Sequence, residues 1–592
     1  MKKPISIFGK ILVWRLKHIS DRHFVLILSV LIGIITGLIA VVLKLSVHNI
    51  REFVQTGMQP SQWAFSYIFY PTVGIVLSVL FIKYIIKKPI RAGIPNVLYG
   101  ISRKRGRIDS HNMFSSIVTS SLTVGFGGSV GLEGPTVTTC SAVGSNLGML
   151  FRLNYKQITL LLACASAATI AAIFKAPIAA LVFALEVIML DLTMWSLIPL
   201  LTASMASVLT SYFFMGQDVL YPFQVVHRFQ LEDVVWYMGL GILCGLISFY
   251  FGKVYLYVDN IFKNIRNNRL KVLWGGMCLG VLLFVFPSLY GEGFNDINAC
   301  LTGDYTYLFN NSMFFNYSEN VWVLIILLLA IILTKVIATS VTVGAGGVGG
   351  IFAPSLFIGV NTGVFYSLLI NTLGLSNLNV NNFALIAMGG MIAGILYAPL
   401  TGIFLIADIS GGYHLFVPLM LTATISYATV RYFMPNSVYT EQLARRRHLM
   451  THDKDKQVLS LMKVSSLIEK GFIVLHIDDN FDKIKEAISE SNRNVFPVVD
   501  DKNNFKGLVL LDSIRKIMFK PDVCESLMVK DFLLQIKDTI DVDENMHDVA
   551  SKFQTTGLYN IVVLNEGKYI GFVSRAKVFS TYRRMLKYFS DD

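Results

Sequence analysis

From the N-terminus to about residue 440 the chain is a series of apolar runs that repeatedly approach or pass the roughly 18 residues needed to cross a bilayer. The run from Phe24 to Leu43 holds no charged side chain. It is too long for a signal-peptide core, and no small-residue cleavage site follows it, so no processing is expected. After Tyr432 the pattern changes. The stretch "TEQLARRRHLMTHDKDKQ" is charged, and the apolar stretches beyond it are only strand-sized. The expected organisation is a membrane domain over residues 1–440, a linker over 441–455 and a soluble α/β tail over 456–592.

Both parts are internally duplicated. In the membrane part, "TSSLTVGFGGSVGLEGP" (Thr119 to Pro135) matches "ATSVTVGAGGVGGIFAP" (Ala338 to Pro354) at an offset of 219, and "AAIFKAPIAALVFALE" (Ala171 to Glu186) matches "AGILYAPLTGIFLIAD" (Ala393 to Asp408) at 222. The repeats run from roughly 65 to 215 and from 270 to 434. Internal repeats of this kind characterise secondary transporters, often with inverted topology and the substrate site at their interface. In the tail, "NVFPVVDDKNNFKGLVLLDSIRKIM" and "YNIVVLNEGKYIGFVSRAKVFSTY" share a strand, a polar turn, a second strand opened by Gly507 or Gly571, and a helix-like basic segment. This layout predicts two α/β units, about 456–520 and 525–592.

Composition narrows the class. The 592 residues are 54% hydrophobic, which excludes a soluble enzyme, and the net charge is +13. The basic clusters lie beside apolar spans: Lys2, Lys3, Lys10, Arg15 and Lys17, then Lys83, Lys87, Lys88 and Arg91, then Arg103 to Arg107, then Arg445 to Arg447. Such loops mark the cytoplasmic side of a membrane and favour anionic headgroups, not nucleic acid. The six cysteines are scattered without paired spacing, against a disulfide framework or a zinc site. "HLMTH" sets His448 and His452 one helical turn apart but lacks the glutamate of a zinc protease. "GAGGVG" (Gly344 to Gly349) matches a dinucleotide fingerprint literally, yet no acidic residue follows at the required distance. No cofactor or metal is expected.

The candidate chemistry lies in the repeated loops. Each places glycines and then a proline, Pro135 or Pro354, ahead of a fresh apolar helix, as in a membrane helix broken partway across. Helix N-termini carry unpaired N–H groups and a partial positive charge, so several of them converging form an anion site without a full cation. Glycine lets the backbone approach the ion. The first loop, "GFGGSVGLEGP", also carries Glu133. An intramembrane carboxylate costs on the order of 3 kcal/mol and marks function by default. At the head of a helix it would compete with the permeant anion when charged and leave when protonated, forming a proton-sensitive gate. A membrane-embedded hydrolase lacks a partnered nucleophile here, a divalent-cation transporter lacks clustered oxygen ligands, and a sensor needs no such loops.

These residues resemble the CLC chloride channels and transporters. "GLEGP" is similar to the family's G-K/R-E-G-P motif, "GGIFAP" to G-x-F-x-P, "AGIP" (Ala92 to Pro95) to G-S-G-I-P, and "NSVYTEQLARR" carries the tyrosine of its last membrane helix. The tail resembles a pair of CBS modules. The resemblance implies a polytopic α-helical membrane protein with an inverted repeat of broken helices and a cytoplasmic CBS pair. It also implies a homodimer with one pore per subunit, both termini in the cytoplasm and a place in the plasma (inner) membrane. Carried over, Glu133 is the gating glutamate, and the anion is bound by Ala92, Gly93, Ile94, Gly350, Ile351, Phe352 and Tyr439.

The chain departs from the family at three places. Arg91 and Ala92 stand where Gly-Ser is usual, Leu132 replaces the basic residue before the glutamate, and Val187 occupies the place of the second glutamate of proton-coupled members. Valine can neither titrate nor donate, so the expectation leans to a passive chloride channel, with chloride/proton exchange as the alternative because some exchangers lack that glutamate. Glu186 is expected to pair or cap locally. In the tail, a nucleotide site wants a hydroxyl three residues after the strand glycine and an aspartate six after. The first unit has Leu510 and Ser513 there, with Asp512 one position early, and the second has Ser574 and Lys577. Nucleotide binding is therefore doubtful.

Overall fold

The computed structural model describes residues 14–55, 60–88, 90, 93–188, 194–216, 230–309, 312, 314–315, 320–410, 412–445, 459, 462–515, 517–519, 524, 526–536 and 538–590. The candidate Ala92 and the pair His448 and His452 lie outside them. Two compact units divide the chain, residues 1–449 and 450–592.

Among the described residues of the first unit, eight helices are long and apolar enough to cross a membrane. The helix Asp21–Gln55 shows why its sequence is apolar all round: Val25, Leu28, Ile32 and Leu43 are buried, while Ile27, Leu31, Ile34, Leu38, Val42 and Leu45 are exposed on the other side. An apolar face with no protein against it is the face a bilayer covers. With 35 residues the helix extends about 52 Å at 1.5 Å per residue. That exceeds the roughly 30 Å hydrocarbon thickness, so it tilts or projects.

The duplication is present element by element. Asn112–Gly125 ends where Val321–Gly344 ends in the second half, and Glu133–Leu150 opens as Phe352–Thr372 does. The same correspondence joins Tyr155–Phe174 to Val380–Leu396, Pro177–Glu186 to Pro399–Ile409, and Met194–Met215 to Phe416–Phe433. Even the strained positions repeat. Gly127 and Gly346 have φ of +99° and +108°, and Lys175 and Tyr397 end their helices at +58° and +60°.

The halves meet reciprocally. Gly131 N–H donates to the Gly350 carbonyl at 2.8 Å, and Gly350 N–H donates back to Gly131 at 2.7 Å, in an antiparallel bridge. Ser129 N–H donates to Thr342 Oγ1 at 3.3 Å, and Val348 N–H to the equivalent Thr123 Oγ1 at 3.1 Å. Farther along, Glu186 accepts from the N–H groups of Leu400 (3.0 Å) and Thr401 (2.7 Å) and from the Thr401 hydroxyl (2.7 Å), while Asp408 accepts from Ala179 N–H at 3.2 Å. Equivalent residues that exchange bonds while running antiparallel are related by a twofold axis across the chain direction. That is the inverted repeat. It also explains the two carboxylates, each of which caps the first turn of the other's helix.

The second unit contains two three-stranded sheets. The first joins β1 (Leu475–His476), β2 (Val495–Val499) and β3 (Phe505–Leu510). The second joins β4 (Ile540–Asp541), β5 (Asn560–Asn565) and β6 (Lys568–Ser574). In each, the first pair is parallel and the second antiparallel, with a register shift at Val498/Val499 in one and Val563/Leu564 in the other. The two strand glycines have a packing cause: a Cβ on Gly507 would meet the Leu534 carbonyl at 2.7 Å, and one on Gly571 the Glu469 carbonyl at 2.6 Å. Leu534 bridges to Leu508 and Glu469 to Phe572, so the segment leading into the first sheet pairs with the second sheet, and the segment leading into the second pairs with the first.

Candidate functional site

Three helix N-termini converge inside the membrane unit. Ile94–Lys104 follows Gly93, Glu133–Leu150 follows Leu132, and Phe352–Thr372 follows Ile351. A Cβ on Gly134 would lie 3.1 Å from the Gly350 Cα and 3.5 Å from the Gly93 Cα, so glycine at these positions lets three backbones meet in van der Waals contact. First-turn N–H groups have no intrahelical acceptor. The Ile351 and Phe352 amides, at the head of their helix, are such donors. Two neighbouring amides are already engaged: Gly93 N–H donates to Thr138 Oγ1 at 2.8 Å, and Gly350 N–H to Gly131. Thr138 Oγ1 in turn donates to the Gly93 and Gly134 carbonyls. This hydroxyl clips two of the three termini together.

Glu133 is fully buried at the first residue of its helix. A Cβ on Gly131 would collide with its Oε2 and would lie 3.1 Å from the Ala353 amide nitrogen, so the carboxylate is folded back between the heads of the two repeats' helices. Neither oxygen makes a well-formed hydrogen bond among the described residues, although the Ala353 N–H is near enough to interact. The Phe352 ring packs 5.3 Å from Phe174 and 6.4 Å from Phe183, centroid to centroid. Tyr439 stands on the short helix Val438–Arg445, is buried, interacts electrostatically with Glu133, and has no hydrogen-bond partner for its hydroxyl among the described residues. Gly93, Ile94, Glu133, Gly350, Ile351, Phe352 and Tyr439 are thus gathered at one point. A buried carboxylate and a buried hydroxyl, both without a hydrogen-bond partner among the described residues, stand here beside helix N-termini, whose first-turn N–H groups favour negative charge.

Val187 lies apart from this cluster in role. It ends the helix Pro177–Glu186, is buried, and donates its N–H to Phe183 at 2.9 Å. Glu186 is committed to the capping bonds with Leu400 and Thr401.

Sequence reading missed four buried or half-buried ionisable groups in the neighbourhood of Glu133. Glu292 Oε1 accepts from Leu132 N–H at 3.1 Å. Lys44 Nζ donates to the Ile173 carbonyl at 3.2 Å and interacts electrostatically with Glu292, Lys175 and Glu133. Lys335, fully buried, donates to the Leu289 (3.2 Å) and Gly291 (3.1 Å) carbonyls and stands 4.6 Å over the Phe357 ring. Asp296 is buried and within Coulombic reach of Lys335. The signal was there: "YGEGFN", Tyr290 to Asn295, sets a glutamate between glycines as "GLEGP" does, and Lys335 interrupts an apolar run.

Comparison with known proteins gives the family. Residues 73–431 match the family described as voltage gated chloride channel, and residues 464–520 and 524–583 match the CBS domain. The chain therefore belongs to the voltage-gated chloride channel family, the CLC proteins of anion transport, and carries two C-terminal CBS domains. It is 29% identical over 384 residues, 64% of this chain and 85% of the other, to a protein provisionally named a ClcB-like chloride channel protein of Ralstonia nicotianae. It is 27% identical over 440 residues, 71% of this chain and 89% of the other, to the H(+)/Cl(-) exchange transporter ClcA of Vibrio cholerae. Among solved structures, a slow cyanobacterial Cl-/H+ antiporter shares the fold with a TM-score of 0.61 at 22% identity, covering 72% of this chain and 98% of its own. A eukaryotic CLC transporter, at TM-score 0.60 and 17% identity, covers 94% of this chain and 99% of its own.

Proposed function

We propose that this protein exchanges chloride for protons across a membrane, with Glu133 as the gate of a pore contained in each subunit. The observation that carries the reading is the position of the Glu133 carboxylate, buried and without a well-formed hydrogen bond where the helices of both repeats begin. An anion arriving there displaces the charged carboxylate. A proton arriving there releases it, because the neutral acid no longer gains from the helix termini. The two ions then use one site in turn, which is what coupling requires.

The passive-channel expectation drawn from Val187 gives way at this point. The Vibrio cholerae relative is named an exchange transporter, and a structural neighbour is an antiporter. Physically, a valine blocks relay by its own side chain but not by an ordered water chain passing it. Ile94, Ile351 and Phe352 would supply backbone donors and Tyr439 a hydroxyl, while Gly93 and Gly350 act as the close-approach positions of their loops. Ala92 is kept as a backbone donor on the motif alone. The family resemblance supports a homodimer with both termini in the cytoplasm and a plasma (inner) membrane setting. Proteoliposomes loaded with chloride and clamped with valinomycin should take up protons against their gradient as chloride leaves. Chloride efflux at an undiminished rate with no proton uptake would overturn exchange in favour of a passive channel.

For the CBS pair we propose a structural role without nucleotide. The one hydroxyl that fits the nucleotide signature, Ser574, donates to Glu469 at 2.5 Å and accepts from Lys577 N–H at 3.2 Å, while Glu469 is also paired with Arg493 at 3.0 Å. Ser513 donates to its own Leu510 carbonyl. A ligand ribose or phosphate would have to break these bonds. Calorimetry on the full chain should give no micromolar heat with ATP, ADP or AMP, and a saturable micromolar isotherm with any of them would refute the proposal.

A further inference from the structure

We propose that Glu292 is a second carboxylate of the gate, the group that passes protons between Glu133 and water on its side of the pore. The proposal rests on the exchange reading above. Glu133 is wholly buried, and a proton that neutralises it must arrive from a group or water that touches both the gate and the outside. Glu292 meets that requirement. It is only part-buried, yet its Oε1 takes the N–H of Leu132, the residue that immediately precedes Glu133.

Its placement is fixed by the surrounding turn. Gly291 and Gly293 have φ of +63° and +84°, a left-handed geometry on either side of Glu292 that non-glycine residues rarely adopt. Lys335 holds the same turn, with its ammonium donating to the Leu289 and Gly291 carbonyls. The charged groups that face Glu292 come from four directions. Glu133 lies on its own broken helix, Lys44 on Asp21–Gln55 and Lys335 on Val321–Gly344. Asp296 follows on the helix Phe294–Thr302 and interacts with Lys335 and Arg51, whose guanidinium lies 5.6 Å from the Tyr290 ring centroid.

Two carboxylates within Coulombic reach of each other, with Lys44 near both and Lys335 near Glu292, can share protons where a single carboxylate cannot. When both glutamates are charged they repel, and one proton placed on either relieves that repulsion while Lys44 and Lys335 balance the charge that remains. The proton therefore moves from the Glu292 carboxyl to the Glu133 carboxylate, and Glu292 recovers one from water. Leu132, apolar where the family usually has a base, adds no competing charge between them.

The test is Glu292→Gln in proteoliposomes, with chloride efflux and proton uptake followed together. The expected result is proton uptake reduced at least tenfold with chloride efflux within about threefold of the parent, and partial recovery of proton uptake in Glu292→Asp. An unchanged proton-to-chloride ratio in Glu292→Gln overturns the proposal, as does equal loss of both fluxes in a protein that remains folded, which would mark Glu292 as a mere cap of Leu132. If the parent protein itself takes up no protons, the exchange reading has failed. Glu292 is then judged by the pH profile of chloride efflux, which Glu292→Gln must alter. A superimposable profile would refute its part in the gate.

Discussion

Glu133→Gln should abolish proton uptake, at least a hundredfold, while chloride continues to pass at a rate that no longer depends on pH. The expectation follows from geometry. The carboxylate is folded between the heads of Glu133–Leu150 and Phe352–Thr372, where a Cβ on Gly131 would already collide with it. Glutamine keeps the side chain's shape but cannot titrate, and it brings no anion to compete for the helix N-termini. Proton transfer through this position then has no acceptor. Anion passage keeps its backbone donors, and occupancy by chloride beside the vacated carboxylate should strengthen. The check is simultaneous chloride and pH recording in proteoliposomes from pH 4.5 to 7.5. A variant that kept the parent's pH dependence would remove Glu133 from the gate.

Lys335→Met should lower the stability of the membrane unit by about 3 kcal/mol, the order expected when a buried ammonium with two carbonyl acceptors and nearby carboxylates is removed. Lys335 is fully buried, and its two bonds tie the Leu289 and Gly291 carbonyls to the helix Val321–Gly344. Methionine fills much the same space, so the loss is electrostatic. The two carbonyls lose their donor, and Asp296, whose Oδ1 has no hydrogen-bond partner among the described residues, loses a buried cation within its Coulombic reach. The measurement is the thermal unfolding midpoint of purified protein in detergent. An unchanged midpoint would show that the turn carrying Glu292 holds without this lysine.

The sequence alone determined the class of molecule, because the signals that define it are local. Charge-free apolar runs require a membrane, two matched segments at offsets of 219 and 222 require a duplication, and glycine-rich loops ahead of a proline require broken helices. Glu133 was legible for the same reason: a carboxylate among glycines inside an apolar region has few explanations. The tail was legible as two α/β units because strand, turn and glycine recur in order. Only the tertiary structure decided what those pieces do to one another. Gly131 and Gly350 exchange hydrogen bonds, Glu186 caps the helix that begins beside Thr401, and Thr138 takes the Gly93 amide that sequence assigned to the anion. None of these is readable along the chain, because hydrogen-bond partnership depends on which surfaces a twofold arrangement brings face to face. The same holds for Lys44, Glu133, Glu292 and Lys335, four charges from four separate segments. Hydropathy treats each as a lone interruption, whereas burial in a low-dielectric interior makes them interact as one group.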